Sequence, residues 1–250
     1  MKRLLGIGVL IACALLAGGA NAALVRVGNL VLTADGGFTP RQLPKRAFAP
    51  IDFRGTANLK AVGGGAPPPL QQAVIDFDRD GRLTTVGLPI CQPASLQETT
   101  PAEARSRCAG AIVGTGHIDA LITLQSGAVK ASSPVTFFNG PRQEGNPTVV
   151  FHARTTVPAT QTFVITIPIE KRAGEFRYRA TIDVPPIAAG LGSLIHLDAK
   201  IGKHYRYRGR ERSYTAARCS DGVLRTRGRF TFADGTIIEG SVEKGCTVRK

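Results

Sequence analysis

Tryptophan is absent from the 250 residues, and Phe and Tyr together supply only 6% of them. A carbohydrate cleft built on aromatic platforms therefore has little material. The chain also lacks G-x-S-x-G, H-E-x-x-H and C-x-x-C, which removes the nucleophile-elbow hydrolase, the zincin and the usual zinc knuckle. No apolar run beyond residue 22 approaches the roughly 20 residues a membrane helix needs, so no transmembrane helix is expected in the mature chain. Acidic side chains are scarce: 18 stand against 32 Lys and Arg, a net charge of +14. Helix signals are scarce too. Gly and Pro interrupt the chain about every ten residues, and the stretches between them alternate with period two.

The N-terminus has the anatomy of an export signal. Lys2-Arg3 precedes an apolar stretch from Leu4 to Ala17, and Ala20 and Ala22 fit the small-residue rule for signal peptidase. Residues 1–22 are expected to be cleaved, after Ala22. A lipoprotein reading competes, because Leu10-Ile11-Ala12-Cys13 resembles a lipidation box, but the residues after Cys13 stay apolar where a tether turns polar. Cleavage lowers the charge from +14 to +12 and leaves Cys91, Cys108, Cys219 and Cys246. Four cysteines in an exported chain imply two bridges, with three connectivities open. The local pairing, Cys91–Cys108 and Cys219–Cys246, is the one expected here. Location is thus secreted or envelope-associated.

Alternation without long helices predicts one all-β domain over residues 23–250, specifically a β-sandwich of the jelly-roll or immunoglobulin-like class with about ten strands. One short helix is expected at Pro101–Cys108, capped by Thr100. Asp35-Gly36-Gly37 is expected to end the first strand, Asp78–Gly81 and Asn139-Gly140 to turn hairpins, and Gly202 and Gly209 to mark bulges or bends in a long strand from Leu194 to Tyr214. The clearest hairpin runs from Val223 to Val242 about Asp234-Gly235.

Asp76, Asp78, Asp80, Gly81 and Leu83 copy the first half of a calcium loop, with hard oxygens at alternate positions and a glycine at the bend. Its twelfth position is Gly87, where a bidentate Glu belongs, so a plain turn accounts for the segment. No cofactor is expected, with calcium at this loop as the alternative. Gly114-Thr115-Gly116 reads as strand glycine beside close backbone, not as a phosphate loop. His117, His152, His196 and His204 form no ligand motif, though His117 and Asp119 share a strand face. No catalytic residue is assigned.

Arginine spacing is the most informative feature. Eleven of the 23 Arg lie between Arg172 and Arg229, together with all four Tyr. Arg177 and Arg179 alternate with Phe176 and Tyr178; Arg206 and Arg208 alternate with Tyr205 and Tyr207; Arg225, Arg227 and Arg229 oppose Leu224, Phe230 and Phe232. Were the three strands neighbours, one sheet face would be a field of guanidinium groups suited to anionic envelope polymer or an anionic lipid surface. The plainer alternative is a solvated face whose acidic partners come from elsewhere in the chain. Intracellular nucleic acid is not expected, because the Tyr rings point inward, away from bases.

Gly87-Leu88-Pro89 with Cys91, Cys108 before Ala111-Ile112-Val113-Gly114-Thr115-Gly116, then Phe138-Asn139-Gly140, Cys219, Phe232-Ala233-Asp234-Gly235 and Cys246 occur in an order that resembles a group of secreted β-rich proteins of high-GC actinobacteria. The resemblance implies export and supports the local bridge pairing. It brings no activity with it, so no functional residue is carried over. The functional expectation is an exported, non-enzymatic envelope or extracellular protein binding anionic polymer. The alternatives are a secreted hydrolase with carboxylates from separate strands, or a calcium-stabilised adhesion module. Oligomeric state is not legible.

Overall fold

A computed structural model describes residues 22–249. Most of the expected leader, including Cys13, lies outside the described residues. Twelve strands form the main sheet: β1 (Ala23–Val27), β2 (Leu30–Thr39), β3 (Asp52–Ala61), β4 (Leu70–Asp78), β5 (Ile112–Leu124), β6 (Gly127–Asn139), β7 (Thr148–Thr155), β8 (Gln161–Lys171), β9 (Phe176–Asp183), β10 (Gly192–Ile201), β11 (Val223–Phe232) and β12 (Ile237–Gly245). They pair in the order β1-β2-β3-β10-β5-β6-β7-β8-β9-β4-β11-β12, every pair antiparallel.

This sheet is a nearly closed barrel, which overturns the expected sandwich. No ladder joins β1 to β12, yet the two edges lie together. A Cβ built on Gly240 of β12 would come within 3.0 Å of Val25 in β1, and Lys244 Nζ reaches Asp35 of β2 at 2.6 Å. Period-two alternation says that one face of a strand is buried. It does not say whether a second sheet or the curl of the same sheet covers that face.

The interior is apolar and the exterior charged, the reverse of the pattern in membrane-spanning barrels. Val113, Val135, Phe137, Val149, Ala153, Ile167, Ile169, Tyr178 and Ala180 form the central core, and Leu30, Leu32, Leu59, Phe232 and Ile238 fill the other end. Among the described residues, no helix is long and apolar enough to cross a membrane. Both disulfides form in the local pairing, with Cα–Cα distances of 5.6 Å for Cys91–Cys108 and 6.0 Å for Cys219–Cys246. The helix α1 (Pro101–Arg107) carries the expected Thr100 cap, completed by Glu103 as a reciprocal capping box. With Cys91, Leu96 and Ala104 it covers Phe138 and Val150 on the outside of the barrel.

Four local expectations fail, each for a readable reason. Asp35-Gly36-Gly37 stays in β2, opposite Thr56, Gly55 and Arg54; glycine there allows close approach, since a Cβ on Gly36 would sit 3.2 Å from the Arg54 carbonyl oxygen. Asn139-Gly140 is not the hairpin turn: the positive φ values fall at Glu144 and Gly145, while a side chain on Gly140 would clash with Thr148 Oγ1. The strand after Asp78–Gly81 does not fold back on β4. Its residues Gly81–Leu83 pair with Thr215–Ala217, which also pair with Ala49–Pro50, making a small sheet across one end of the barrel. The long strand breaks: Gly209 is a bend, and with Arg208 at φ +49° it turns a separate hairpin, His204–Tyr207 with Arg210–Ser213. Gly114-Thr115-Gly116 behaves as expected, because side chains at Gly114 and Gly116 would collide with β10.

Candidate functional site

The expected arginine face forms in part. Strand β4 lies between β9 and β11, so Arg177 and Arg179 on one side and Arg225, Arg227 and Arg229 on the other flank a common strand. Their partners Tyr178, Ile75 and Phe77 point inward to the core. Arg206 and Arg208 belong to the separate hairpin and do not join this face.

Strand β4 also brings the carboxylates the linear sequence hides. Asp76 stands in register with both Arg179 and Arg227. It accepts Nε and Nη2 of Arg179 at 2.7 and 2.9 Å, and Nη2 of Arg227 at 2.8 Å. The Arg179 hydrogen bond holds the Asp76 carboxyl below its ordinary range, burial opposes this, and Arg227 reinforces it. Arg225 meets Asp221 at 3.1 Å, Glu243 at 3.3 Å and Glu175 at 3.9 Å, and Arg229 meets Glu239 at 2.5 Å. Four of the five arginines on this face are therefore engaged by carboxylates.

The three aspartates once weighed as a calcium loop are employed differently. Asp76 holds arginines. Asp78, buried, accepts the backbone N–H groups of Asp80 and Arg225 at 2.8 Å each. Burial pushes its carboxyl above the usual range. Asp80, 1% exposed, accepts Arg218 Nε and the Ser220 backbone N–H, both at 2.7 Å. Burial pushes Asp80 up, but the donors from Ser220 and Arg218 outweigh it and the carboxyl ends below its ordinary range. Among the described residues, no group of three or more His, Cys, Asp or Glu is arranged to hold a metal ion.

Beside this face lies a cleft of about 780 Å³ in which four of the seven cations have no carboxylate partner among the described residues. Five segments line it: Phe48; Arg79 with Arg82 to Val86; Arg142 with the Gly145–Pro147 stretch; Lys171, Arg172, Gly174, Arg177 and Tyr178; and Arg218. Its cations are Arg79, Arg82, Arg142, Lys171, Arg172, Arg177 and Arg218, and no carboxylate is among the lining residues. Three of the guanidinium groups gather on one ring, with Arg82, Arg177 and Arg218 at 5.5, 5.3 and 5.3 Å from the Phe48 centroid. Arg218 is aimed from beneath by Asp80, and Arg177 Nε donates to the Arg79 carbonyl at 2.8 Å. Arg172 pairs with Glu170 at 3.2 Å and Arg79 with Asp221 at 3.7 Å, both solvent-exposed contacts worth little. Arg177 was legible in the sequence, and Arg172 and Arg218 lie within its arginine-rich stretch, but Phe48, Arg79, Arg82 and Arg142 were not singled out there. Only the Asp78–Gly81 turn, which contains Arg79, was a local signal.

The separate hairpin hangs from the same rim. Tyr205 Oη donates to the Val86 carbonyl at 2.8 Å, and the Tyr207 ring lies against Gly87. Arg206, Arg208, Arg210 and Arg212 are exposed on it, and the one ion pair within it, Arg206 with Glu211, spans 4.0 Å between exposed side chains.

On the far side of the barrel, Asp119 accepts Ser132 Oγ at 2.5 Å, His117 Nε2 at 3.1 Å and Lys130 Nζ at 2.8 Å. Burial opposes ionisation there, but Lys130, Ser132 and His117 together bring the Asp119 carboxyl down to about 2. Asp119 lies at the centre of this network, so Ser132 and His117 do not form a nucleophile–base relay. No family model, curated protein or solved structure matches the chain.

Proposed function

We propose that this is an exported, disulfide-stabilised barrel protein that binds anionic envelope or extracellular polymer without catalysing a reaction. Two formed disulfides support folding outside a reducing compartment. The charge of +14 supports attraction to polyanions. The observation that carries the reading is the distribution of that charge: a cleft lined by seven cations without a carboxylate, continuous at Val86 with a hairpin bearing four exposed arginines. The binding surface is this cleft and hairpin, rather than the face of β9, β4 and β11 where carboxylates hold the arginines.

Retention on an anionic polymer resin, measured against salt, tests this. The triple variant Arg206→Ala/Arg208→Ala/Arg210→Ala is expected to elute at clearly lower salt than wild type. A charge-matched control, Arg26→Ala/Arg105→Ala/Arg107→Ala, should elute close to wild type. Equal losses in the two variants would show that only net charge matters and would end the assignment.

A further inference from the structure

We propose that the Phe48 cleft is a discrete binding site for a run of tetrahedral oxyanions, the phosphate or sulfate groups of an oligomeric ligand. The proposal rests on the polyanion reading above and adds a place and a ligand chemistry to it.

The first argument is electrostatic. Arg82, Arg177 and Arg218 converge on one phenyl ring within 5.5 Å of its centroid. Cation–π contact tolerates the guanidinium groups there but does not cancel their charge. Elsewhere on the barrel, close arginines are separated by a carboxylate, as Asp76 separates Arg179 from Arg227. Around Phe48 the buried carboxylate Asp80 lies beneath the floor and uses its oxygens on Arg218 and the Ser220 amide. The repulsion among these like charges is relieved when an anion enters, and a concave surface of one sign concentrates such ions.

The second argument is geometric. The cations reach the cleft from different segments: Arg82 from an edge strand of the small end sheet, Arg142 from the loop between β6 and β7, Arg172 from the loop between β8 and β9, and Arg218 from just past the small sheet's central strand. Donors arriving from several directions suit oxygens spread in three dimensions. A carboxylate offers two coplanar oxygens, so it meets guanidinium forks near one plane, as Asp76 meets Arg179 and Arg227. A phosphate or sulfate group presents oxygens to several forks at once. The volume of about 780 Å³ exceeds what one such ion occupies, so a short run of them fits.

The test uses inorganic triphosphate as probe, titrated calorimetrically into the intact protein at 0.15 M salt. Wild type should bind it saturably at one site. Arg82→Ala/Arg142→Ala should weaken binding at least tenfold while circular dichroism and melting temperature stay near wild type. Arg227→Ala/Arg229→Ala, which removes the same charge from the neutralised face, should change it less than threefold. Propane-1,2,3-tricarboxylate at matched ionic strength should bind at least tenfold more weakly than triphosphate. Equal affinity for the tricarboxylate, or equal losses in the two double variants, overturns the site. Separate arms with short-chain polyphosphate and with a sulfated dextran oligomer decide which ester the cleft prefers; binding of either supports it. Triphosphate that fails to bind while the resin still retains the protein sinks this site alone. Loss of resin retention at the hairpin variant and control alike sinks the broader reading instead.

Discussion

The outer face of β9, β4 and β11 and the neighbouring Phe48 cleft are built from the same residue type and behave oppositely. On the face, Asp76 takes two arginines, Arg225 meets three carboxylates, and Arg229 meets Glu239. In the cleft, seven cations share a volume with no lining carboxylate. Arginine density therefore does not measure available charge. What matters is whether the central strand supplies an acid in register, and β4 does so at Asp76, one strand away from each cluster.

The largest effect should come from Asp80, whose carboxylate sits under the cleft floor. Asp80→Ala leaves Arg218 and the Ser220 amide without their acceptor, at a cost of about 3 kcal/mol in urea unfolding. A midpoint equal to wild type would mean the floor is organised by something else. Asp76→Ala comes next, at about 2 kcal/mol, since its arginine partners are part-exposed and regain water. The same substitution should also turn the neutralised face into the arginine field it resembles in sequence. The variant is expected to need more salt than wild type to elute from an anionic resin. Unchanged elution would mean the face is unavailable to polymer for a reason other than Asp76.

The parity of the arginines was readable from the sequence, because side chains on a strand alternate and the aromatics between them had to be buried. Tyr178 and Tyr205 pack inward as that rule requires. Neighbourhood was not readable. Asp76 lies 103 residues from Arg179 and 151 from Arg227 along the chain. The same gap explains the missed cleft: Phe48 and Arg218 meet only because Ala49–Pro50 and Thr215–Ala217 pair in the small end sheet. Short-range signals fared better. The Thr100 cap, both bridges and the Asp234-Gly235 hairpin formed where the local residues placed them. Closure into a barrel was invisible, because a curled sheet and two stacked sheets impose the same alternation on each strand.

Acid should weaken both regions without mutation. The Asp76 and Asp80 carboxyls are held below their ordinary range and Asp119 at about 2, so each stabilises the fold above the unfolded value near 4. That contribution is lost as pH falls through the folded values. Asp78, raised by burial, works the other way and gains as pH falls. Net stability should therefore decline between about pH 4 and pH 2. Asp119→Asn is less stable than wild type at pH 5 and has a flatter profile in that window. Parallel profiles for the two proteins would contradict the ionised network of Lys130, Ser132 and His117.

The smallest effect is the sharpest comparison. Arg229→Ala and Arg208→Ala each remove one exposed positive charge. Arg229 is paired with Glu239, both about half exposed, so its removal should change stability by less than about 0.5 kcal/mol. Arg208 turns the hairpin above the cleft rim, its guanidinium over the Tyr207 ring at 5.3 Å and without a carboxylate partner. Its φ of +49° is one a non-glycine residue adopts at a cost, and Ala inherits that conformation, so stability again should barely move. With charge loss and stability matched, affinity for the polymer is the remaining variable. Arg208→Ala should lower the eluting salt by more than Arg229→Ala does, because a free guanidinium exchanges water for polymer while a paired one must first leave its acid.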